Sequence, residues 1–491
     1  MYRRPSKRKE LIKLIVIYIG MTLAVVATVT LIVFFVLGYR LDTGNGRVEQ
    51  YAFFQFSSIP SGATVTIDGA VVGSKTPNKS SVPAGKHKVV MWRDGYETWS
   101  KTVDVKAGTL TWLNYTLFIP KKLTVEPVAS YESIYMTLAS PSPKGHYMLI
   151  EGRADTPTFD LVDLNSNTIK STKLAIPASL YSEPTTAGVT HTFTIEKWDD
   201  DGRYVLIKHA YGDNNEWLVM DTQDVSLTKN ITQLFNVSIS SISFSGTSGN
   251  IFYILDSNVI RKLDLSAETI SKPLVSNVTS FDIYNDSNII TYVGSGASGT
   301  SQRVVGLYRE GDDKSYVLRT ITSSADIPLH IATTHYFNED YVVIAEGKKV
   351  DILSGSYPDT TSDSATSLKV IASFTSNDDI QNLIFSPTGE YVFVQSGAYF
   401  ASYDLEYQTF TSSTIEGTGD MSTLKWVDNT HVWSDRGGTI TIREFDGANV
   451  HTINSVIVGQ DATLTHNGRF LYSINKSTAG YQLQRVRMIL P

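Results

Sequence analysis

The chain has 491 residues, long enough for two or three domains, a formal net charge of −7 and no cysteine. That charge repels phosphate backbones and no basic patch with interleaved aromatics offsets it, which excludes nucleic acid as a partner. An exported chain without disulfides must be held by burial and strand pairing alone, which suits large closed architectures rather than small stapled modules.

Residues 1–13 form a basic tail, in which Arg3, Arg4, Lys7, Arg8, Lys9 and Lys13 face the single acid Glu10, a net of +5 (six minus one). From Leu14 to Tyr39 there are 26 residues without a formal charge. A hydrocarbon core of about 30 Å needs roughly 20 apolar residues at 1.5 Å each, so 14–39 is predicted to be one transmembrane helix. Tyr18 and Tyr39 suit its interfaces, because a phenol has one wet end. A helix apolar all round for this length is out of place in a soluble core. A cleaved signal peptide would carry an apolar core of about 7–15 residues and an A-x-A-like site. Here the run is longer, and GYRLDTGNG offers no such site. Arg40, Asp42, Arg47 and Glu49 cancel beyond the helix. Positive residues stay cytoplasmic, which predicts a single pass through the cell membrane, with the N-terminus cytoplasmic and the bulk of the chain extracellular. That outer part carries about −12, the total of −7 less the tail's +5.

Residues 40–51, containing DTGNGRVEQ, are polar and glycine-bearing and are expected to be a linker off the bilayer. From Tyr51 the pattern switches to period two, with strands expected over 53–59, Ala63–Asp68, Lys86–Arg93, Trp99–Val105 and Leu110–Leu117. Turn residues separate them, including Pro60-Ser61-Gly62, Asp68-Gly69, Thr76-Pro77 and Asp94-Gly95. Asp-Gly supplies the positive φ that tight hairpins demand. The whole is a small all-β sandwich over 52–120. Ser58, Pro60-Ser61-Gly62-Ala63, Val65, Asp68-Gly69, Gly73, Thr76-Pro77, Gly85-x-His87-x-Val89, Gly95-Tyr96, Val105 and Gly108 stand in the order of a PEGA domain, which this segment resembles. The namesake Glu of that family is Ser61 here. The resemblance implies a transthyretin-like sandwich on an exported bacterial protein, serving as a surface spacer or attachment module with no catalytic residues. The order of helix, PEGA domain and long β region also resembles predicted surface proteins of small-genome bacteria of the Saccharibacteria type.

Across 121–491 a polar turn followed by an apolar strand recurs, at 140–150, 198–207, 244–255, 283–293, 336–345, 385–394, 426–433 and 464–474. A period near 45 residues is the mark of a β-propeller, because one four-stranded sheet cannot bury both faces alone and radial stacking buries each against its neighbour. The last unit, from Ala462, has room for only three strands, and 123–129 (LTVEPVA) could supply the fourth. That makes eight blades, with seven as the alternative because the turns near 283 and 336 are degenerate. Two packed sandwiches would also accommodate such strands. FSPTGEYVFV (385–394) resembles the repeat of TolB-type and WD-type propellers.

Reactive constellations are scarce. Asp199-Asp200-Asp201 before Gly202 carries the charge a calcium ion takes, but it occupies the repeat's turn and no Glu follows at a ligand spacing. Asp312-Asp313 and Asp378-Asp379 also read as loop residues. Gly294-Ser295-Gly296-Ala297-Ser298-Gly299 satisfies G-x-G-x-x-G, yet SQRVVGLYRE after it is a strand, whereas dinucleotide binding needs a helix there. The histidines His87, His146, His191, His209, His330, His335, His431, His451 and His466 show no metal-ligand spacing, and no G-x-S-x-G elbow occurs. Trp198 and Trp426 precede repeat turns, which points to blade packing rather than a sugar platform. Gly294–Ser301 and Ser354–Ser367 read as Ser/Thr/Gly-rich hairpin tips. No catalytic, cofactor-binding or metal residue is assigned. The expectation is a non-enzymatic, membrane-anchored surface binding or scaffold protein that meets an extracellular protein or cell-wall glycan. The alternatives are an extracellular hydrolase or lyase with its site in the propeller channel, where residues of different blades converge without a linear motif, and a subunit of an envelope assembly.

Overall fold

The structure is a computed structural model that describes residues 7–42, 47–132, 138–183, 188–245, 248–284, 289–296, 302–322, 324, 326–358, 368–478 and 480–491. The chain divides into two compact units, Met1–Lys122 and Leu123–Pro491.

The first unit opens with helix α1, Lys7–Val36, whose stretch Leu11–Val36 is long and apolar enough to cross a membrane and is solvent-facing throughout. Its polar hydroxyls are turned back on the backbone: Thr22, Thr28 and Thr30 donate to the carbonyls four residues earlier at 2.8–2.9 Å. The helix stops before Tyr39, at Gly38, whose φ of +82° is left-handed and whose missing Cβ would lie 2.8 Å from the Tyr51 carbonyl.

The linker expected over 40–51 is instead a paired hairpin. Strand β1, Tyr39–Asp42, runs antiparallel to the start of strand β2, Arg47–Ile59, in register from Tyr39↔Gln50 to Asp42↔Arg47. The cause is backbone satisfaction. Glycines and polar residues at the tip suggested a flexible segment, but the flanks pair, and the Gln50 amide donates to the helix-end carbonyl of Leu37 at 2.9 Å.

β2 then enters a two-sheet sandwich. One sheet joins β1, β2, Asn78–Pro83 and Leu110–Leu117, the last running parallel to β2. The other joins Ala70–Val71, Thr64–Ile67, Gly85–Trp92 and Trp99–Val105. Alternation along β2 buries Ala52, Phe54, Phe56 and Ser58, opposite Val65, Val89 and Met91 of the second sheet. Each of the two phenylalanines gains about 2–3 kcal/mol from that burial. Asn78–Pro83 lies outside the expected strands, because NKSSVP buries only Val82 and has no apolar period to read.

The second unit is a β-propeller. Among the described residues it has eight four-stranded antiparallel sheets in chain order, the third with an additional two-residue strand at Val275–Ser276. These blades cover 139–175, 191–230, 239–276, 278–321, 329–375, 382–414, 425–455 and 463–487. The eighth has three strands of its own, and Val125–Glu132 completes it by pairing with Gly480–Arg487. Arg485 fixes the pairing: its guanidinium donates to Glu126 at 2.8 Å and lies 4.2 Å from the Phe470 ring centre.

Second strands read as continuous apolar runs rather than alternating ones, because neighbours cover both faces. Tyr391–Ser396 is buried at all six positions, whereas outer strand Thr409–Thr414 has no buried position and exposes Thr409, Phe410, Ser412 and Thr414. Successive blades interdigitate: Leu149 and Phe159 meet Phe193 and Val205, and Phe393 and Phe400 meet Leu424 and Val432. The first blade packs on the eighth through Met148 and Ile150 against Tyr472 and Ile474. Between the seventh and eighth the seam is polar as well, with Asn454 donating to the Ser473 hydroxyl at 2.9 Å and Gln484 to the Ser455 carbonyl at 2.8 Å.

The recurring turn has one physical explanation. At the same point in five blades a Ser, Thr or Asp side chain accepts amides of the following turn: Ser142 from His146 and Tyr147, Asp199 from Arg203 and Tyr204, Ser386 from Tyr391, Asp428 from Thr430 and His431, and Thr465 from Phe470. In four of these a glycine stands three residues on at positive φ, at Gly145, Gly202, Gly389 and Gly468. At Gly145 a Cβ would lie 2.4 Å from the Leu464 carbonyl of the eighth blade, and at Gly389 2.1 Å from the Thr334 hydroxyl of the fifth. The motif therefore both turns the chain and lets one blade rest on its neighbour.

Candidate functional site

The densest cluster of titratable side chains lies in the second blade. Strands His191–Trp198, Tyr204–Tyr211 and Asn214–Asp221 place Phe193, His209 and Glu216 in one cross-strand row, with His191 opposite Tyr211. His209 and Glu216 are fully buried. His209 Nδ1 lies 2.8 Å from Glu216 Oε1, and His209 Nε2 lies 2.8 Å from His191 Nδ1. His191 Nε2 faces Glu183 at 3.2 Å, and Glu183 is open to solvent. Four groups thus run in series from water to the interior.

Aromatic rings fix the row. Phe193 stacks on His209 at 4.2 Å and 3°, the His191 ring lies parallel to it with centres 5.0 Å apart, and Tyr181 meets it edge-on at 5.4 Å. Glu216 also gathers the Ser182 amide at 2.7 Å, the Ser182 hydroxyl at 2.9 Å and the Asn230 amide at 2.8 Å. Burial pushes its carboxyl up, but the bonds from His209, Asn230 and Ser182 outweigh that and bring it down to about 2. Chemically the arrangement favours a buried carboxylate at Glu216, and it ties the connection after the first blade to the second.

A second cluster lies between the fifth and sixth blades. Burial, then the neighbouring acids Asp404 and Glu406, push Glu390 up to about 7. Burial likewise raises Asp404 to about 6, against the amides of Tyr407 and Glu406 that it accepts at 2.9 Å. Tyr336 donates to Glu406 at 3.1 Å. Asp404 does a turn residue's work, as Asp221 does for Gln223 and Asp264 for Ser266.

The residues singled out from sequence fall into structural roles. Asp199 is buried and caps its turn, and Asp201 pairs with Lys144 at 3.0 Å. Asp312 accepts from the Tyr316 hydroxyl at 2.9 Å, and Asp378 lies 3.9 Å from Lys348. Gly294 and Ser295 end strand Ile289–Ser295, Gly296 bonds to Gln302, and 297–301 lie outside the described residues, as do 359–367 of the second tip. His87 bridges Asp68 and the Pro83 carbonyl at 2.6 and 2.8 Å, which raises its imidazole against the opposing effect of burial. The His146 ring lies tilted against that of His466 with centres 4.5 Å apart, while His335 and His431 pair with Asp340 and Asp428. Trp198 donates to the Ser140 carbonyl at 3.3 Å, a blade-to-blade contact. Among the described residues no group of three or more His, Asp or Glu is arranged to hold a metal ion.

Comparison with known families agrees with the sandwich. Residues 55–119 match the PEGA domain. Curated proteins return no match. Solved structures similar to this chain include a β-propeller domain and enzymes. The Cps50 (Swd1) β-propeller domain of Myceliophteria thermophila is 13% identical, with a TM-score of 0.41 over 68% of this chain and 100% of its own. An oligogalacturonate lyase in complex with manganese is 10% identical, with a TM-score of 0.42 over 74% of this chain and 99% of its own. A prolyl endopeptidase is 12% identical, with a TM-score of 0.45 over 73% of this chain and 56% of its own.

Proposed function

We propose that this is a non-enzymatic surface protein, held in the cell membrane by α1, with the PEGA domain and the propeller outside and the propeller presenting an acidic recognition face to an extracellular protein or cell-wall glycan. The observation that carries the non-enzymatic reading is the inward commitment of the richest cluster: Glu216 is saturated by Ser182, Asn230 and His209, and Ser182 spends its hydroxyl on that carboxylate. A nucleophile needs its base beside it, and here the base and the hydroxyl both serve the anchor. The basic residues Arg3, Arg4, Lys7, Arg8, Lys9 and Lys13 ahead of the helix support the direction, and the match at 55–119 supports an exported setting.

Protease added to intact cells should remove the region beyond residue 51 and spare a tag placed ahead of Leu14; the reverse pattern would overturn the orientation. The purified full chain should retain a cell-wall or envelope fraction on a column without turning over glycan or peptide substrates, and turnover abolished by His209→Ala would replace binding with catalysis.

A further inference from the structure

The end of α1 is built into the PEGA sandwich. Besides the Gln50 bond to Leu37, the Tyr51 amide donates to the Gly38 carbonyl at 2.9 Å, and the Gly108 amide donates to the Tyr51 carbonyl at 3.1 Å. The turn Lys106–Leu110 is therefore two hydrogen bonds from the helix end. Leu110 pairs with Phe53, three residues past Gln50, or about 10 Å along the strand. Arg40 lies over the Tyr51 ring at 5.6 Å on the hairpin side.

The apolar stretch Leu11–Val36 has 26 residues. At 1.5 Å each that is about 39 Å, some 9 Å more than the hydrocarbon core, so its end stands in the headgroup layer. Whatever is fastened within about 10 Å of Gly38 shares that layer. The residues there fit it: Leu37, Val48 and Leu110 are 50%, 56% and 41% exposed, Lys106 stands beside them in the open, and the exposed Arg40 and Glu49 face each other across the strand pair. Exposed aliphatic side chains with charged groups at their rim suit the boundary between acyl chains and headgroups.

We propose that the PEGA domain does not stand off the membrane but docks on it, with the paired strand ends Tyr39–Arg40 and Val48–Gln50 and the Lys106–Leu110 turn seated in the outer headgroup layer of the bilayer that α1 crosses. This rests on the reading of α1 as a membrane anchor. The docked sandwich fixes the distance and tilt at which the chain leaves the surface, which a flexible spacer would not do.

The chain has no cysteine, so one introduced residue is a unique label site. Full-length Leu110→Cys, Thr109→Cys, Asp94→Cys and Val25→Cys variants would carry a nitroxide in vesicles of phosphatidylcholine with phosphatidylglycerol. Asp94 lies in the turn after Gly85–Trp92, at the opposite end of the sandwich from Gly108, and serves as the aqueous control. Docking predicts that labels at 109 and 110 favour oxygen over a water-soluble nickel chelate several-fold more than the label at 94 does, while 25 reports the bilayer interior. If 25 is buried in lipid and 109 and 110 are as aqueous as 94, docking is wrong and the anchor stands. If 25 is aqueous, anchor and docking fall together.

Discussion

At the scale of single residues, the acids divide by what surrounds them rather than by how deeply they lie. Glu216 is buried and Glu390 half-buried, yet four donors bring the first down to about 2, while burial and the acids Asp404 and Glu406, against one bond from Tyr391, push the second up to about 7. Glu390's folded carboxyl lies above its ordinary 4.5, so the charged form opposes folding. Its cost is absent below about pH 4.5 and grows as pH rises to 7. Glu390→Gln should therefore raise the melting temperature at pH 8 and leave it nearly unchanged at pH 4.5; calorimetry at both values checks this, and an equal effect at both would refute it. The His191–His209 pair was not legible from spacing. Counting back from the turn at 199–203 puts His209 opposite Thr194, but a bulge between Ile195 and Lys197 slips the register by one and brings it onto Phe193.

At the scale of elements, polar composition misled and periodicity informed. The 40–51 stretch resembled a spacer because its tip holds Gly44 and Gly46, while its flanks found partners only once the helix end and β2 were side by side. The repeat turns, by contrast, were legible as polar turns ahead of an apolar strand, since what the structure shows them to need, an acceptor for turn amides and in four of them a left-handed glycine, is local. Gly389→Ala tests the second requirement. A Cβ there meets Thr334 at 2.1 Å on top of the positive φ, so the cost should be about 2 kcal/mol or more, well above the ~1 kcal/mol of the backbone preference alone. Equilibrium denaturation of the variant measures it, and recovery in a Gly389→Ala, Thr334→Ala double variant would assign the excess to the contact.

At the scale of the molecule, the eighth sheet is assembled from two ends of one unit. Val125–Glu132 covers the edge of Gly480–Arg487, and without it that edge and the first blade's partner face are left to water. Replacing 125–132 with a Gly/Ser tract of equal length should destabilise the whole propeller, whereas Arg485→Ala, which removes the bond to Glu126 and the contacts with Phe470 and Tyr472 but leaves the strand pairing, should cost about 2 kcal/mol and keep the fold. Intact urea unfolding of the tract variant would show that the closing strand contributes little.

The sequence by itself determined the membrane-length helix, the sandwich and the repeating β architecture, because each is written in short-range terms: an unbroken apolar run, period-two alternation, and turn residues whose side chains act within a few positions. Only the tertiary structure decided how the helix end is seated, which face His209 takes and what Glu216 holds. Those outcomes depend on hydrogen bonds and registers between residues far apart in the chain, where a single bulge or one buried carboxylate outweighs any local preference.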